Sequence, residues 1–103
     1  MKNTLLASAL IAASFLSPSL TAQEDTCPIV AEYAHKIMKD RQGGVSMVKM
    51  MQANDKDNGD FYNLVRDQII EAYSVNYWAT PTFKNRAISK FENKWYLACI
   101  TAK

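Results

Sequence analysis

Apolar residues recur every three or four positions along most of the chain beyond residue 27, which is the spacing of one face of an α-helix. This periodicity predicts four helices, at about 28–42, 47–53, 60–73 and 82–101. Gly43 and Gly44 favour the end of the first helix, and Pro81 disfavours helix at the residue before it. No segment alternates long enough to predict a strand. The pattern therefore predicts an all-α fold, a small compact bundle of three longer helices and one short helix.

The first and last helices carry the clearest apolar stripes, and these residues form the predicted core. The stripe of the first helix consists of Val30, Tyr33, Ala34, Ile37 and Met38. The stripe of the last helix consists of Phe83, Ala87, Ile88, Phe91, Trp95, Ala98 and Cys99. Between the helices, the segment 54–60 is predicted to be a polar turn, and the segment 74–81 is predicted to be a linker rich in aromatic residues.

The first 22 residues have a different pattern, in which charged positions are almost absent. A positive charge at Lys2 precedes an uncharged apolar run over 5–16, and Pro18 interrupts this run before it reaches the roughly 20 residues that a membrane span needs. The arrangement predicts a secretory signal peptide over 1–22. The alternative is a buried N-terminal helix of the core. Cleavage of the signal would leave a single helical domain over 23–103, located in the periplasm or secreted.

The charge of the chain mainly excludes some classes of partner. The whole sequence has a formal net charge of +2, and Lys2 is lost with the signal peptide, so the exported domain is nearly neutral. It has neither the basic stripe of a nucleic-acid-binding protein nor the run of like charges of a membrane-surface helix. We therefore expect no nucleic-acid partner and no membrane span in the mature chain. Because small domains bury a smaller share of their surface, the core is expected to be marginal.

The two cysteines, Cys27 and Cys99, lie near the two ends of the exported domain. In an oxidising compartment an even number of cysteines predicts disulfide bonding, and two cysteines allow one intramolecular pairing. Closing so long a loop stabilises the fold by about 4 kcal/mol in the chain-entropy model. The pairing also requires the first and last helices to lie antiparallel. The alternatives are an intermolecular bridge and a redox-active pair, but the latter lacks the Cys-x-x-Cys spacing.

The segment from Asn54 to Asp60 has the composition of a calcium-binding loop but not its register. With Gly59 at the sixth position of such a loop, the third position is Lys56 and the twelfth is Val65, where oxygen ligands are required. We therefore interpret the segment as a turn between helices, with a weak cation site of another type as the alternative.

The Glu32-x-x-His35 spacing places a carboxylate and an imidazole on the polar face of the first helix. Metal sites of this type need a second copy, and His35 is the only histidine of the chain, so we interpret it as solvated. It is also the only conventional general base, and no nucleophile motif accompanies it. The acid pair Asp67 and Glu71 is explained by a charged helix surface. We therefore predict that the protein is not an enzyme and needs no metal or cofactor.

Two groups of residues and one single residue are candidates for contact with a partner. The first group consists of Met47, Met50 and Met51. These methionines suit either adaptable recognition or the filling of a small core. Tyr77 and Trp78 lie in the linker outside either helical stripe, and they are either anchors for a partner or a lid over the core. Arg41 is the remaining candidate, although the dipole of the first helix is enough to explain a cation there.

Several short motifs along the chain carry a resemblance to a group of proteins. They are Cys27 opening a helix, Ile37-Met38-x-x-Arg41-Gln42-x-Gly44, Ser46-Met47-x-x-Met50-Met51, Ala72-Tyr73, Ala87-Ile88-x-x-Phe91 and Tyr96-Leu97-x-Cys99. With them, the chain resembles a group of small, uncharacterised exported proteins of Gram-negative bacteria and their phages. The resemblance implies an exported helical fold and no particular activity. In size, helicity and single disulfide, the chain is also similar, more weakly, to the acid-stress chaperones of the periplasm.

An exported helical domain closed by a disulfide and lacking catalytic groups is typical of a binding protein. We expect it to bind a protein or another envelope component, as an inhibitor or an exclusion-type factor, through Tyr77, Trp78 and the three methionines. The alternative is a periplasmic stress chaperone that exposes apolar surface when it is destabilised.

Overall fold

The computed structural model describes residues 26–102, which form four α-helices and no strand. We label the helices α1 (26–42), α2 (Met47–Asp57), α3 (Tyr62–Ala72) and α4 (Pro81–Thr101). The all-α fold predicted from the hydrophobic periodicity is confirmed. The predicted signal peptide at 1–22 lies outside the described residues and stays a prediction. Among the helices of residues 26–102, none combines the length and the hydrophobicity that crossing a bilayer requires.

α1 ends at the two glycines that follow it in the sequence. The amide of Val45 donates to the carbonyl of Asp40 at 3.0 Å, which satisfies one of the last carbonyls of the helix. Gly44 has a φ of +91°, a left-handed conformation that residues with a side chain adopt only at a cost. The chain then enters α2, where the Ser46 hydroxyl caps the first turn by accepting from the amide of Lys49 at 3.2 Å.

α2 continues to Asp57, beyond the end that the polar composition predicts. Asn54 explains the difference, because its side chain is buried and its Nδ2 donates to the carbonyl of Tyr62 at 3.0 Å. Because this hydrogen bond satisfies the buried amide, Asn54 is accommodated inside the helix, and the turn is confined to 58–61. As a result α2 and α3 have the same length, 11 residues each, instead of the short second helix and longer third helix predicted.

α1 and α4 lie antiparallel, as pairing of the two cysteines requires. Three contacts run in opposite directions along the two helices: the Cys27–Cys99 disulfide, His35 Nδ1 with Glu92 Oε1 at 2.7 Å, and the Lys84 ammonium with the Gln42 carbonyl. The Cα atoms of the two cysteines are 5.6 Å apart, which lies within the usual range for a disulfide. The bond therefore joins the start of α1 to the end of α4.

The core forms where the apolar stripes of the four described helices meet. Its buried members are Ala34, Ile37, Met38, Met50, Ile69, Ala72, Ala87, Ile88 and Phe91. Gln68 of α3 is fully buried, and its Nε2 donates to the carbonyl of Val30 in α1 at 3.1 Å. The shared core holds the end of α1 beside the loop that connects α3 to α4.

Candidate partner-binding surface

The loop between α3 and α4 contains both aromatic candidates, and the end of α1 holds its backbone. We call residues 73–80 the aromatic loop. Gln42 is only 1% exposed and uses both ends of its amide: Nε2 donates to the carbonyl of Asn76 at 2.7 Å, and Oε1 accepts from the amide of Trp78 at 2.9 Å. Because a buried polar side chain is costly to leave unpaired, these two bonds fix the loop backbone in one position.

Arg41 contacts the same loop from the neighbouring position. Its Nη2 donates to the carbonyl of Val75 at 3.0 Å. Its guanidinium carbon lies 4.8 Å from the centroid of the Tyr73 ring and 5.7 Å from that of Tyr77, distances that suit cation–π attraction. Arg41 therefore positions the loop, a task that the sequence did not reveal, in addition to its favourable interaction with the dipole of α1.

Lys84, in the first turns of α4, contacts both the loop and α1. Its ammonium lies 4.0 Å from the centroid of the Tyr77 ring and donates to the backbone carbonyl of Gln42. Sequence reasoning missed both Gln42 and Lys84 as positioning residues. The one signal for Gln42 is its place four residues after Met38, because that position continues the apolar stripe of α1.

The two aromatic candidates differ in exposure. Tyr77 is 54% exposed although the backbone around it is held, so its ring is displayed to solvent. Trp78 is half-buried, packs against the core, and has its ring centroid 5.3 Å from that of Phe83. Trp78 therefore fits the alternative of a lid, since it covers part of the core. Tyr77 lies outside the core and fits the alternative of an anchor for a partner.

The three candidate methionines lie mostly in the interior. Met50 is 8% exposed and is a member of the core. Met47 and Met51 are half-buried and pack against the core. Most of the surface of the three methionines is therefore packed between helices. Any contact with a partner depends on the exposed parts of Met47 and Met51.

A groove of about 780 Å³, which we call the cationic groove, opens between the aromatic loop and α4. Its largest apolar residues are Val75, Trp78, Phe83 and Phe91. Its charged residues are Glu71, Arg86, Lys90 and Lys94. Lys94 forms an ion pair with Glu71, whereas neither Arg86 nor Lys90 forms one within residues 26–102. The groove therefore keeps an excess of positive charge beside an apolar floor.

His35 is exposed, and its Nδ1 lies 2.7 Å from Glu92 Oε1. The histidine therefore has a carboxylate partner on α4, and the contact connects α1 to α4. In the part of the chain that the structure describes, no group of three or more His, Cys, Asp or Glu side chains is arranged to hold a metal ion.

Two tyrosine hydroxyls have a perturbed acidity. Burial raises the pKa of the Tyr73 hydroxyl above its ordinary value of 10.0, and the nearby Arg41 opposes this shift. The hydrogen bond to the Asp55 carboxylate raises the pKa of the Tyr62 hydroxyl, because it stabilises the protonated phenol. Both hydroxyls are therefore protonated at neutral pH and serve as donors, Tyr73 to the carbonyl of Val45.

Comparison of the chain with models of protein families, with curated proteins and with solved structures found no match. The aromatic loop and the cationic groove are therefore the features that bear on its function.

Proposed function

We propose that this chain is an exported binding protein, without enzymatic activity, that engages a protein or other envelope partner through the aromatic loop. The observation that supports the proposal is an exposed Tyr77 ring on a backbone that Gln42 and Arg41 hold in place. A displayed aromatic ring buries a large area on binding, and it loses little conformational freedom when its loop is already ordered. An inhibitor or an exclusion-type factor needs a contact of this kind and no catalytic group.

Export is part of the same proposal, with the periplasm or the extracellular medium as the destination. The predicted signal peptide at 1–22 supports it, and so do two cysteines at disulfide distance, since oxidising compartments maintain such pairs. Mass spectrometry of the protein from a periplasmic fraction is expected to find a chain that begins near residue 23 and has no free thiol. A chain that retains Lys2, or one with two free thiols, contradicts the export proposal.

Affinity capture from an envelope extract tests the binding proposal. We expect the wild type to retain a defined partner and Tyr77→Ala to weaken that retention about tenfold or more, the effect typical of an aromatic anchor residue. Tyr96→Ala is the matched control, because it removes another exposed tyrosine ring, at 40% exposure, from a distant part of α4. If Tyr77→Ala retains the partner as well as the wild type does, the proposed surface is wrong.

A stress chaperone is the second candidate, favoured by apolar side chains exposed near the end of α4. Leu97 is 59% exposed, and Tyr96 and Ile100 are exposed within the same two turns. Apolar surface of this kind can hold unfolded client proteins, and more of it appears when the fold loosens. Light scattering of an aggregating client in strongly acidic buffer distinguishes the candidates, because a chaperone suppresses aggregation there and the proposed binding protein does not.

A further inference from the structure

The cationic groove has an apolar floor that the fold holds in place. Ala87 and Phe91 of α4 are buried members of the core. The backbone of Trp78 is fixed by its bond to Gln42, and the Trp78 and Phe83 rings pack together at a centroid distance of 5.3 Å. The floor is therefore part of the packed fold, and it offers an apolar surface to an apolar side chain of a ligand.

Three cations line this groove in a row along α4. Arg86, Lys90 and Lys94 are spaced four residues apart, so they lie one turn after another on the same face of the helix. Like charges at this spacing destabilise a helix, and the one carboxylate of the groove, Glu71, pairs only with Lys94. Within the described residues Arg86 and Lys90 have no ion-pair partner. Arg86 instead lies over the Phe83 ring, with its guanidinium carbon 5.3 Å from the ring centroid, so no carboxylate of residues 26–102 neutralises either charge.

We propose that the cationic groove binds an acidic segment of the partner protein, with one apolar side chain of that segment seated on the floor beside Trp78. The row from Arg86 to Lys94 extends about 12 Å along α4, which matches about four residues of extended chain and exceeds the size of a single small anion. Trp78 belongs to both the groove and the aromatic loop, so the groove adjoins the loop that carries Tyr77. This inference rests on the proposed function and specifies the chemistry of its partner.

Titration of the isotope-labelled protein, followed by NMR with the disulfide intact, tests the inference with three short synthetic peptides. The first combines Glu with Leu and Phe, the second replaces each Glu by Lys, and the third replaces each Leu and Phe by Ser. We expect saturable shifts from the first peptide alone, at the amides of residues 74–94. Arg86→Glu/Lys90→Glu is expected to weaken this binding by about tenfold or more, because it reverses both unpaired charges.

The control variant is Lys39→Glu/Lys49→Glu, which makes the same charge change at two exposed positions outside the groove. It is expected to leave the affinity for the first peptide within about twofold of the wild type, as distant surface charges are screened. The inference is overturned if the first peptide gives no saturable shift, or if the Lys peptide or the Ser peptide binds equally well. It is also overturned if the two double variants have equal affinity for the first peptide.

Failure of the inference and failure of the proposed function give different results. A protein that ignores the peptides but captures its envelope partner through Tyr77 keeps the proposed function and loses the inference. If the protein binds the first peptide in the groove but captures no envelope partner, the proposed function is contradicted. The preference of the groove for an acidic segment with an apolar side chain is then still supported.

Discussion

Two grooves of this molecule carry opposite charge. The cationic groove lies between the aromatic loop and α4, and it is the larger of the two. The second groove, of about 270 Å³, lies between α1, α2 and α3, and its charged lining residues are Lys36, Asp40, Asp57 and Asp60. Lys36 pairs with Asp40 at 3.4 Å, which leaves the other two carboxylates without an ion pair in the described part of the chain. We call this second groove the acidic groove.

A buried side-chain amide stabilises the structure beside each groove, but the two amides have different consequences for the surface. The acidic groove lies over the core residues Ile37 and Ile69, and its amide, Asn54, bonds the start of α3 through the carbonyl of Tyr62. Beside the cationic groove, Gln42 bonds a loop, and that loop displays the Tyr77 ring to solvent. The difference is that Asn54 joins two helices, whereas Gln42 orders a loop that carries an exposed aromatic ring.

The largest expected effect comes from the disulfide. It joins α1, which lines the acidic groove, to α4, which lines the cationic groove. Replacing Cys27 and Cys99 by Ser is expected to lower the free energy of unfolding by about 4 kcal/mol, because the unfolded chain is no longer constrained. Urea unfolding, followed by tryptophan fluorescence and by circular dichroism, measures this loss against the oxidised wild type. Separate transitions for the two probes would show that the regions are not one cooperative unit, and an unchanged free energy would contradict the role of the bond.

Gln42→Ala is expected to produce the next largest effect, and to act on one region only. The substitution leaves the Asn76 carbonyl and the Trp78 amide without their partners, so we expect a loss of about 2 kcal/mol in the free energy of unfolding. Hydrogen exchange at the Trp78 amide is expected to accelerate at the same time. The matched control is Gln52→Ala, an exposed position on α2. Unchanged exchange at Trp78 would mean that Gln42 does not fix the loop.

Asn54→Ala is the corresponding test at the acidic groove. The expected loss in the free energy of unfolding is smaller, about 1 kcal/mol, because one hydrogen bond is removed instead of two. Asn85→Ala, at an exposed position on α4, is the control. Partner capture through Tyr77 is expected to survive Asn54→Ala, since distant and independent sites do not couple. Faster exchange at the Trp78 amide in this variant would show that the two regions are coupled.

The smallest expected effect is on alkaline stability. The pKa values of the Tyr62 and Tyr73 hydroxyls are raised in the folded state, so their contribution is complete below pH 10.0 and is lost as the pH rises through the folded-state values. Tyr62→Phe and Tyr73→Phe are each expected to lessen this alkaline loss and to remove one late step from the phenolate absorbance titration. A titration curve whose late steps are the same in wild type and variants contradicts the assignment.

The sequence was sufficient to predict that the four helices form, because periodicity and helix-ending glycines are local signals. It was insufficient for the end of α2, because Asn54 finds its partner at Tyr62 through a tertiary contact that overrides the polar composition. Tyr77 stood out as an aromatic residue in a linker, but the role of Gln42 did not, since its partner Asn76 is 34 residues away. The two grooves depend on how helices are placed relative to one another, which no local pattern encodes.

Photo-cross-linking from one position in each region tests the central claim most directly. The photoreactive amino acid benzoylphenylalanine replaces Tyr77 of the aromatic loop in one variant and Tyr33 of the acidic groove in the other, both exposed aromatic positions. After irradiation of cells that produce each variant, we predict one defined protein adduct from position 77 and none of that species from position 33. The same adduct from both positions, or no adduct from position 77, would contradict the claim that the aromatic loop binds the partner.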